Sequence, residues 1–188
     1  EVKKAGAEKG IKVTFLPFLM KALSIVLKER PEFNSSLDHN NQNLVLKNYY
    51  HLGVAVDTPS GLTVPIVRDV DQKSVFELSD ELMDLSSRAR DKKLKPDELK
   101  GGTFTISSLG GIGGTGFSPI VNPPEVAIMG VSRSAWKEVY DKISREFVAK
   151  FIMPFSLSYD HRVIDGAAAA AFTSRFAEVL SDLDHFKD

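Results

Sequence analysis

Three stretches of the chain repeat apolar residues every three or four positions, the pattern of a helix with one buried face. The first has Pro17 at a first helical position and is predicted to end before Pro31. In the second, Ser74 begins a capping-box pattern, and the helix should continue to about Arg90. The third, residues 166–183, opens with one glycine and five alanines.

Shorter stretches have the composition and alternation of β-strands. Residues 57–61 form a turn sequence between two of them, which predicts a hairpin of 52–56 and 62–67, and Pro65 argues for a sheet edge or a bulge. Other predicted strands are residues 103–108, 120–122, 125–131 and 147–159. Because strands and helices are interspersed, we predict an α/β domain of the α+β type with a mixed open sheet.

A glycine-rich segment follows the predicted strand 103–108. Residues 111–116 fit the G-x-G-x-x-G pattern of dinucleotide-binding loops, but such a loop opens a helix, whereas here Pro119 and a strand-like stretch follow. We therefore predict a glycine turn with positive φ angles. Ser107 and Ser108 at the adjacent strand end either bond nearby backbone or face an approaching ligand.

Composition removes several function classes. With 24 basic and 25 acidic residues, the chain gives no electrostatic basis for binding nucleic acid or an anionic membrane. It has no cysteine, which excludes disulfides, thiolate metal sites and a cysteine nucleophile and favours a reducing compartment. No apolar run approaches the roughly 20 residues that span a bilayer.

The apolar stretch that ends near Tyr159 is followed by Asp160, His161, Arg162 and Asp165. Charged side chains are rarely placed at a strand end for packing alone, so this run is a candidate functional site, although a lone histidine is more often a structural residue. Arg162 can hold one or both carboxylates and fix the backbone around the histidine. A metal site is disfavoured because the four histidines lie in unrelated contexts, and a serine hydrolase because no G-x-S-x-G occurs. A purely structural histidine is the plain alternative.

Several blocks in order carry a more specific signal: "RPEFNSSL", "LGVAVDTPSGLTVPIVRDV", "TFTISSLGG", "NPPEVAIMGVSRS" and "SYDHRVIDG". With them the chain resembles the catalytic core domain of the dihydrolipoamide acyltransferases of 2-oxo acid dehydrogenase complexes. It is most similar to the acetyl-transferring branch, since the branched-chain branch tends to have asparagine where Ser108 stands. The resemblance implies a trimeric fold like that of chloramphenicol acetyltransferase.

The resemblance covers nearly the whole chain and implies that residues 1–188 are a single catalytic domain, which we expect to be truncated at its start and to lack the lipoyl and peripheral subunit-binding domains. The first residues are expected to be the end of a helix, which Gly10 terminates. Two segments depart from the family pattern. "YDKISREFVAK" is longer than the usual hairpin, and "DLDHFKD" is charged where relatives often end in an aliphatic anchor between trimers.

The implied reaction moves an acyl group, for this branch acetyl, between dihydrolipoamide and coenzyme A. His161 would take the thiol proton, Ser107 would stabilise the tetrahedral oxyanion, and Asp165 would orient the histidine or a substrate group. Arg162 and Asp160 would support the site. Contacts to coenzyme A are expected at four residues: Ser35, Ser108, Gly110 and Gly111.

The family packs as trimers, so His161 of one chain would face Ser107 of its neighbour, and a larger cubic core is a further possible assembly. The lipoyl group would arrive on a separate domain, with the dehydrogenase and dihydrolipoamide dehydrogenase components as partners and no metal. The bacterial cytoplasm is favoured over the mitochondrial matrix. Two alternatives are an acyltransferase of the same fold with another small acceptor, and a non-catalytic core of a multienzyme complex.

Overall fold

The computed structural model describes residues 6, 8, 10–40 and 42–186. Within them lie three complete α-helices: α1 (Leu16–Glu29), α2 (Val75–Arg90) and α3 (Gly166–Ser181). Single 3₁₀ turns are found at Pro31–Phe33, Val70–Gln72, Pro96–Leu99 and Leu183–Phe186. The strands are β1 (Ser35–Leu37), β2 (Leu44–Leu46), β3 (Leu52–Val54), β4 (Val56–Thr58), β5 (Gly61–Thr63), β6 (Ile66–Val67), β7 (Phe104–Ser108), β8 (Ala127–Val131), β9 (Ala135–Asp141), β10 (Glu146–Ile152) and β11 (Phe155–Tyr159).

The three predicted helices are confirmed. The residues that were predicted to start them have the expected positions and hydrogen bonds. Pro17 lies in the first turn of α1. At the start of α2, the Glu77 N–H donates to Ser74 Oγ at 3.2 Å and the Ser74 N–H donates to the Glu77 carboxylate at 2.8 Å, which completes the capping box. None of the helices in the described ranges is long and apolar enough to cross a membrane.

The helix that was expected to end at Gly10, at the start of the chain, lies partly outside the described residues. Gly6 and Glu8 are helical, and Gly10 has a φ of 70°. The Ile11 N–H donates to the Gly6 carbonyl at 2.8 Å, the bond expected when glycine ends a helix in the left-handed conformation.

The central sheet has five strands in the order β11-β8-β7-β3-β6. β7 runs parallel to β3 and β8, whereas the outer strands β6 and β11 are antiparallel to their neighbours. The sheet is therefore mixed, as predicted. Pro65 directly precedes the edge strand β6, where its missing N–H costs no pairing, and its carbonyl accepts the Val54 N–H at 3.0 Å.

Helices α1 and α3 cover one face of this sheet. Phe104 and Ile106 of β7 point toward them and are fully buried. Phe172 of α3 stacks on Phe33 at 4.2 Å and on Phe104 at 6.0 Å between ring centroids. This face forms the hydrophobic core.

The opposite face carries small and polar residues. Thr105 and Ser107 alternate with the core residues of β7, and Ser107 pairs in register with Gly130 of β8. The loop of residues 109–126 folds back onto this face. An added Cβ on Gly130 would lie 2.8 Å from the Phe117 ring, so the ring can pack there only because residue 130 has no side chain.

The glycine turn follows β7 without opening a helix, which agrees with the rejection of a dinucleotide site. Gly113 and Gly114 have φ angles of 145° and 86°, the conformations that the glycines were predicted to supply. Residues 120–122 were wrongly predicted as a strand. Pro119 and Pro123 flank them, and neither proline can donate to a ladder, so the segment stays irregular.

Residues 147–159 were predicted as one strand but form two. Met153 and Pro154 separate β10 from β11, because proline has no N–H with which to continue pairing. β11 joins the central sheet, whereas β10 pairs only with β9 in a separate two-stranded ribbon. The hairpin predicted around residues 57–61 is confirmed in β4 and β5.

Candidate active site

His161 lies in a tight turn between β11 and α3. The N–H groups of Val163 and Ile164 both donate to the Asp160 carbonyl at 3.0 Å. Ile164 is 1% exposed and anchors the turn in the core. The imidazole itself is exposed, with its ring centroid 5.7 Å from that of Tyr159. The fold therefore presents an accessible imidazole on a fixed backbone.

Asp160 and Arg162 stabilise this turn. The Arg162 guanidinium donates to both Asp160 carboxylate oxygens, with Nε 2.9 Å from Oδ1 and Nη2 2.5 Å from Oδ2. These bonds hold the pKa of the Asp160 carboxyl below its usual range. The Asp160 N–H donates to the Val126 carbonyl at 2.8 Å, which attaches the turn to the start of β8.

Asp165 caps the helix that follows. Its Oδ1 accepts the Ala168 N–H at 2.8 Å, and its backbone is extended, as an N-cap requires. Asp165 was expected either to orient His161 or a substrate group, or to pair with Arg162. The structure shows a third role, because the carboxylate fixes the start of α3 immediately behind the histidine turn.

Ser107 and Ser108 end β7 on the other side of the molecule. Ser107 is half-buried on the face opposite the helices, and Ser108 is exposed. Within the described residues, neither hydroxyl bonds a neighbouring backbone group. Ser108, Gly110 and Gly111 line one cavity of about 460 Å³, together with residues of α1, β8 and β10. Three of the four residues expected to contact coenzyme A thus share a cavity.

Ser35 does not belong to that cavity. It is fully buried, and its hydroxyl donates to the Glu32 carbonyl at 2.7 Å. This bond closes the 3₁₀ turn before β1, so the side chain has a structural role. The predicted contact between Ser35 and coenzyme A is therefore wrong.

Ser107 and His161 do not meet within one chain. Gly130 of β8 pairs in register with Ser107 of β7 on one side and with Ser156 of β11 on the other. Ser107 and Ser156 are therefore two strand spacings, about 10 Å, apart. Tyr159 is three residues farther along β11, about another 10 Å. Ser107 is therefore about 14 Å from Tyr159 across the sheet, and His161 lies beyond its end.

Glu125, which was not predicted as a site residue, lies at the same end of the sheet as His161. Its carboxylate accepts the Thr105 hydroxyl at 2.7 Å, and burial raises its pKa to about 7. Lys47 lies nearby, and desolvation lowers its pKa. A signal was present in the sequence, since Glu125 is the single charged residue between Lys100 and Arg133.

No cluster of three or more histidine and acidic side chains suited to a metal occurs among the residues described.

Comparison with known proteins decides the family. The model of the 2-oxoacid dehydrogenases acyltransferase (catalytic domain) family matches residues 1–186. The chain belongs to this family.

Relatives in the acyltransferase family include the dihydrolipoyllysine-residue acetyltransferase components of two pyruvate dehydrogenase complexes. The Pseudomonas aeruginosa protein is 56% identical over 96% of this chain and 33% of its own length. The Azotobacter vinelandii protein is 55% identical over 96% of this chain and 28% of its own length. The chain thus spans about a third of the length of these relatives.

Solved structures agree with this assignment. A structure of the A. vinelandii dihydrolipoamide acetyltransferase matches with a TM-score of 0.94 and 53% identity, over 98% of this chain and 75% of that one. The cubic core of a pyruvate dehydrogenase multienzyme complex also matches, with a TM-score of 0.94 and 52% identity over 98% and 75% of the two chains. Chloramphenicol acetyltransferase, at 14% identity and a TM-score of 0.59 over 95% and 82%, shares the fold, as the sequence analysis expected.

Proposed function

We propose that this acyltransferase domain moves an acetyl group between dihydrolipoamide and coenzyme A, with His161 and Ser107 as its catalytic residues. The observation that carries the proposal is the exposed His161 turn in a chain that belongs to this acyltransferase family. The names of the relatives at 56% and 55% identity support acetyl as the group transferred.

The residue spacing supports the choice of groups. The A. vinelandii structure accompanies a study of one serine, one histidine and one asparagine in the catalytic mechanism, with the serine 52 residues before the histidine and the asparagine four residues after it. Here Ser107 precedes His161 by 54 residues, and Asp165 follows His161 by four. Asp165 keeps the acceptor oxygen of an asparagine but lacks its amide donor.

His161 and Ser107 would divide the chemistry. The imidazole accepts the proton of the attacking thiol, and the resulting thiolate attacks the carbonyl carbon of the thioester. The Ser107 hydroxyl donates to the oxyanion of the tetrahedral intermediate, which then expels the second thiolate, and the imidazolium returns the proton to it. Direct transfer between two thiols needs no covalent protein intermediate, consistent with the absence of cysteine.

The site would form between chains of a homotrimer. Both groups must reach one reacting centre to within about 3 Å, and the 14 Å estimated from the sheet register prevents this inside one chain. We therefore place His161 of one subunit opposite Ser107 of the next. Coenzyme A would enter through the cavity of Ser108, Gly110 and Gly111, and Arg162 with Asp160 would hold the histidine turn.

The rest of the assembly follows the same proposal. A lipoyl group would be carried by a separate domain, and the dehydrogenase and dihydrolipoamide dehydrogenase components would be partners. The match to a cubic core supports further assembly of trimers. The bacterial sources of the relatives favour the cytoplasm as the location.

Subunit complementation tests the proposal. His161→Ala should lower turnover about 10²- to 10⁴-fold, and Ser107→Ala about 10²- to 10³-fold. The two variants are unfolded together, refolded as mixed oligomers, and assayed with acetyl-coenzyme A and dihydrolipoamide. In random trimers, about a quarter of the sites combine an intact His161 with an intact Ser107 from the neighbour, so about a quarter of wild-type activity should return.

Each variant refolded alone is the matched control and should stay inactive. Mixed oligomers that show no recovery, although wild-type protein refolds to full activity, would contradict the shared site. Full turnover by His161→Ala would overturn the role of the histidine itself.

A further inference from the structure

A second cavity, of about 740 Å³, lies at the end of the sheet near Glu125. It is bounded by the β1–β2 hairpin, the loop of residues 99–102 and the loop of residues 122–125. Its apolar walls are formed by Leu62, Val64, Ile66 and Leu99. Neither Ser107 nor His161 lines it, so the proposed acyl transfer does not use this space.

The base of the cavity carries the Glu125 carboxyl. Its Oε2 accepts the Thr105 hydroxyl at 2.7 Å. Its Oε1 is directed to Gly102, where an added Cβ would lie only 2.8 Å away. Oε1 thus has room for a hydrogen bond to a ligand because residue 102 has no side chain.

The charges around Glu125 favour an anion. Lys47, which directly follows β2, and Lys100 line the cavity, together with the hydroxyl of Tyr49. On the other side of Glu125, Asp160 and Arg162 neutralise each other in their ion pair. Burial raises the pKa of Glu125 to about 7, so a large fraction of this carboxyl is neutral near neutral pH. An entering anion then meets two ammonium groups and a neutral acid that can donate a hydrogen bond.

We propose that this cavity binds small monocarboxylates with an apolar tail. The ligand carboxylate would accept hydrogen bonds from Lys47 Nζ and from the neutral Glu125 carboxyl. Its tail would pack against Leu62, Val64 and Ile66. The volume is in the range of pockets that bind small molecules, and a few polar groups at one end of apolar walls are typical of such sites. The proposal is independent of the catalytic roles of His161 and Ser107.

Binding should depend on pH through Glu125. An ionised Glu125 would repel the carboxylate, so apparent affinity follows the neutral fraction of this group. With a pKa of about 7, that fraction falls from about 0.9 at pH 6 to about 0.09 at pH 8. The dissociation constant should therefore rise about ten-fold between these pH values.

Titration calorimetry of the assembled protein with sodium octanoate tests the proposal. We expect saturable binding that weakens about ten-fold from pH 6 to pH 8. Glu125→Gln should keep binding and lose the pH dependence, because the amide is neutral and still donates. Lys47→Met, which keeps the apolar stem, should lose most of the affinity. Lys93→Met is the matched control, since Lys93 is an exposed lysine outside this cavity and should leave binding unchanged.

Three outcomes would overturn the proposal: no saturable binding of octanoate at either pH, unchanged affinity in Lys47→Met, or tighter binding of octylammonium than of octanoate. His161→Ala should bind octanoate like wild type, and weakened binding in that variant would place the ligand in the proposed active site instead. A thermal unfolding curve for each variant shows that the fold is intact.

Discussion

Replacing Glu125 by glutamine should stabilise the protein, although it removes a native side chain. Burial raises the pKa of Glu125 from 4.5 to about 7, so between these values the folded chain holds a proton that the unfolded chain has released. Stability therefore falls as pH rises through this interval. At about 1.4 kcal/mol for each pH unit, the raised pKa lowers the free energy of unfolding by about 1.4 kcal/mol at pH 5.5 and by about 3 kcal/mol at pH 8.

Glutamine keeps the size of the side chain and can still accept the Thr105 hydroxyl. We expect Glu125→Gln to match wild type near pH 4.5 and to exceed it by about 3 kcal/mol at pH 8. Urea unfolding followed by circular dichroism, at one protein concentration and several pH values, measures this difference. Tryptophan fluorescence is less suitable, because Trp136 is 70% exposed on the β9–β10 ribbon. A variant no more stable than wild type at pH 8 would refute the reasoning.

Three further predictions follow from local contacts. Glu98→Gln should destabilise the protein, because the Arg88 guanidinium lowers the pKa of Glu98 to about 2. This stabilisation by the ionised carboxylate is lost as pH falls through that value. Urea unfolding should therefore show the variant to be less stable than wild type at pH 7 but not at pH 2. Gly130→Ala should cost about 1–3 kcal/mol by displacing Phe117, measured as a lower urea midpoint. Asp165→Ala should lose about 1 kcal/mol of helix capping, whereas Asp165→Asn should retain it, so reduced acyl transfer in an asparagine variant of unchanged stability would identify a role for the charge.

The candidate site could be predicted from sequence only as a set of residues. The run after Tyr159 marked a candidate site around His161 because charges at a strand end lack a packing explanation, and the family resemblance implied that the histidine acts as a base. The pairing of Arg162 with Asp160 is local and follows from their two-residue spacing. The cap made by Asp165 was missed, although aspartate before a run of helix formers is a common N-cap pattern.

Local signals in the sequence determined the helices, the glycine turn and the 57–61 hairpin, because caps, prolines and positive-φ positions act within a few residues. Tertiary structure decided the rest. It divided residues 147–159 between two sheets, buried Ser35, and placed Glu125 under Thr105, 20 residues away in sequence. It also set Ser107 and His161 at opposite ends of the sheet. Strand order and burial depend on contacts between distant segments, which no short window of sequence encodes.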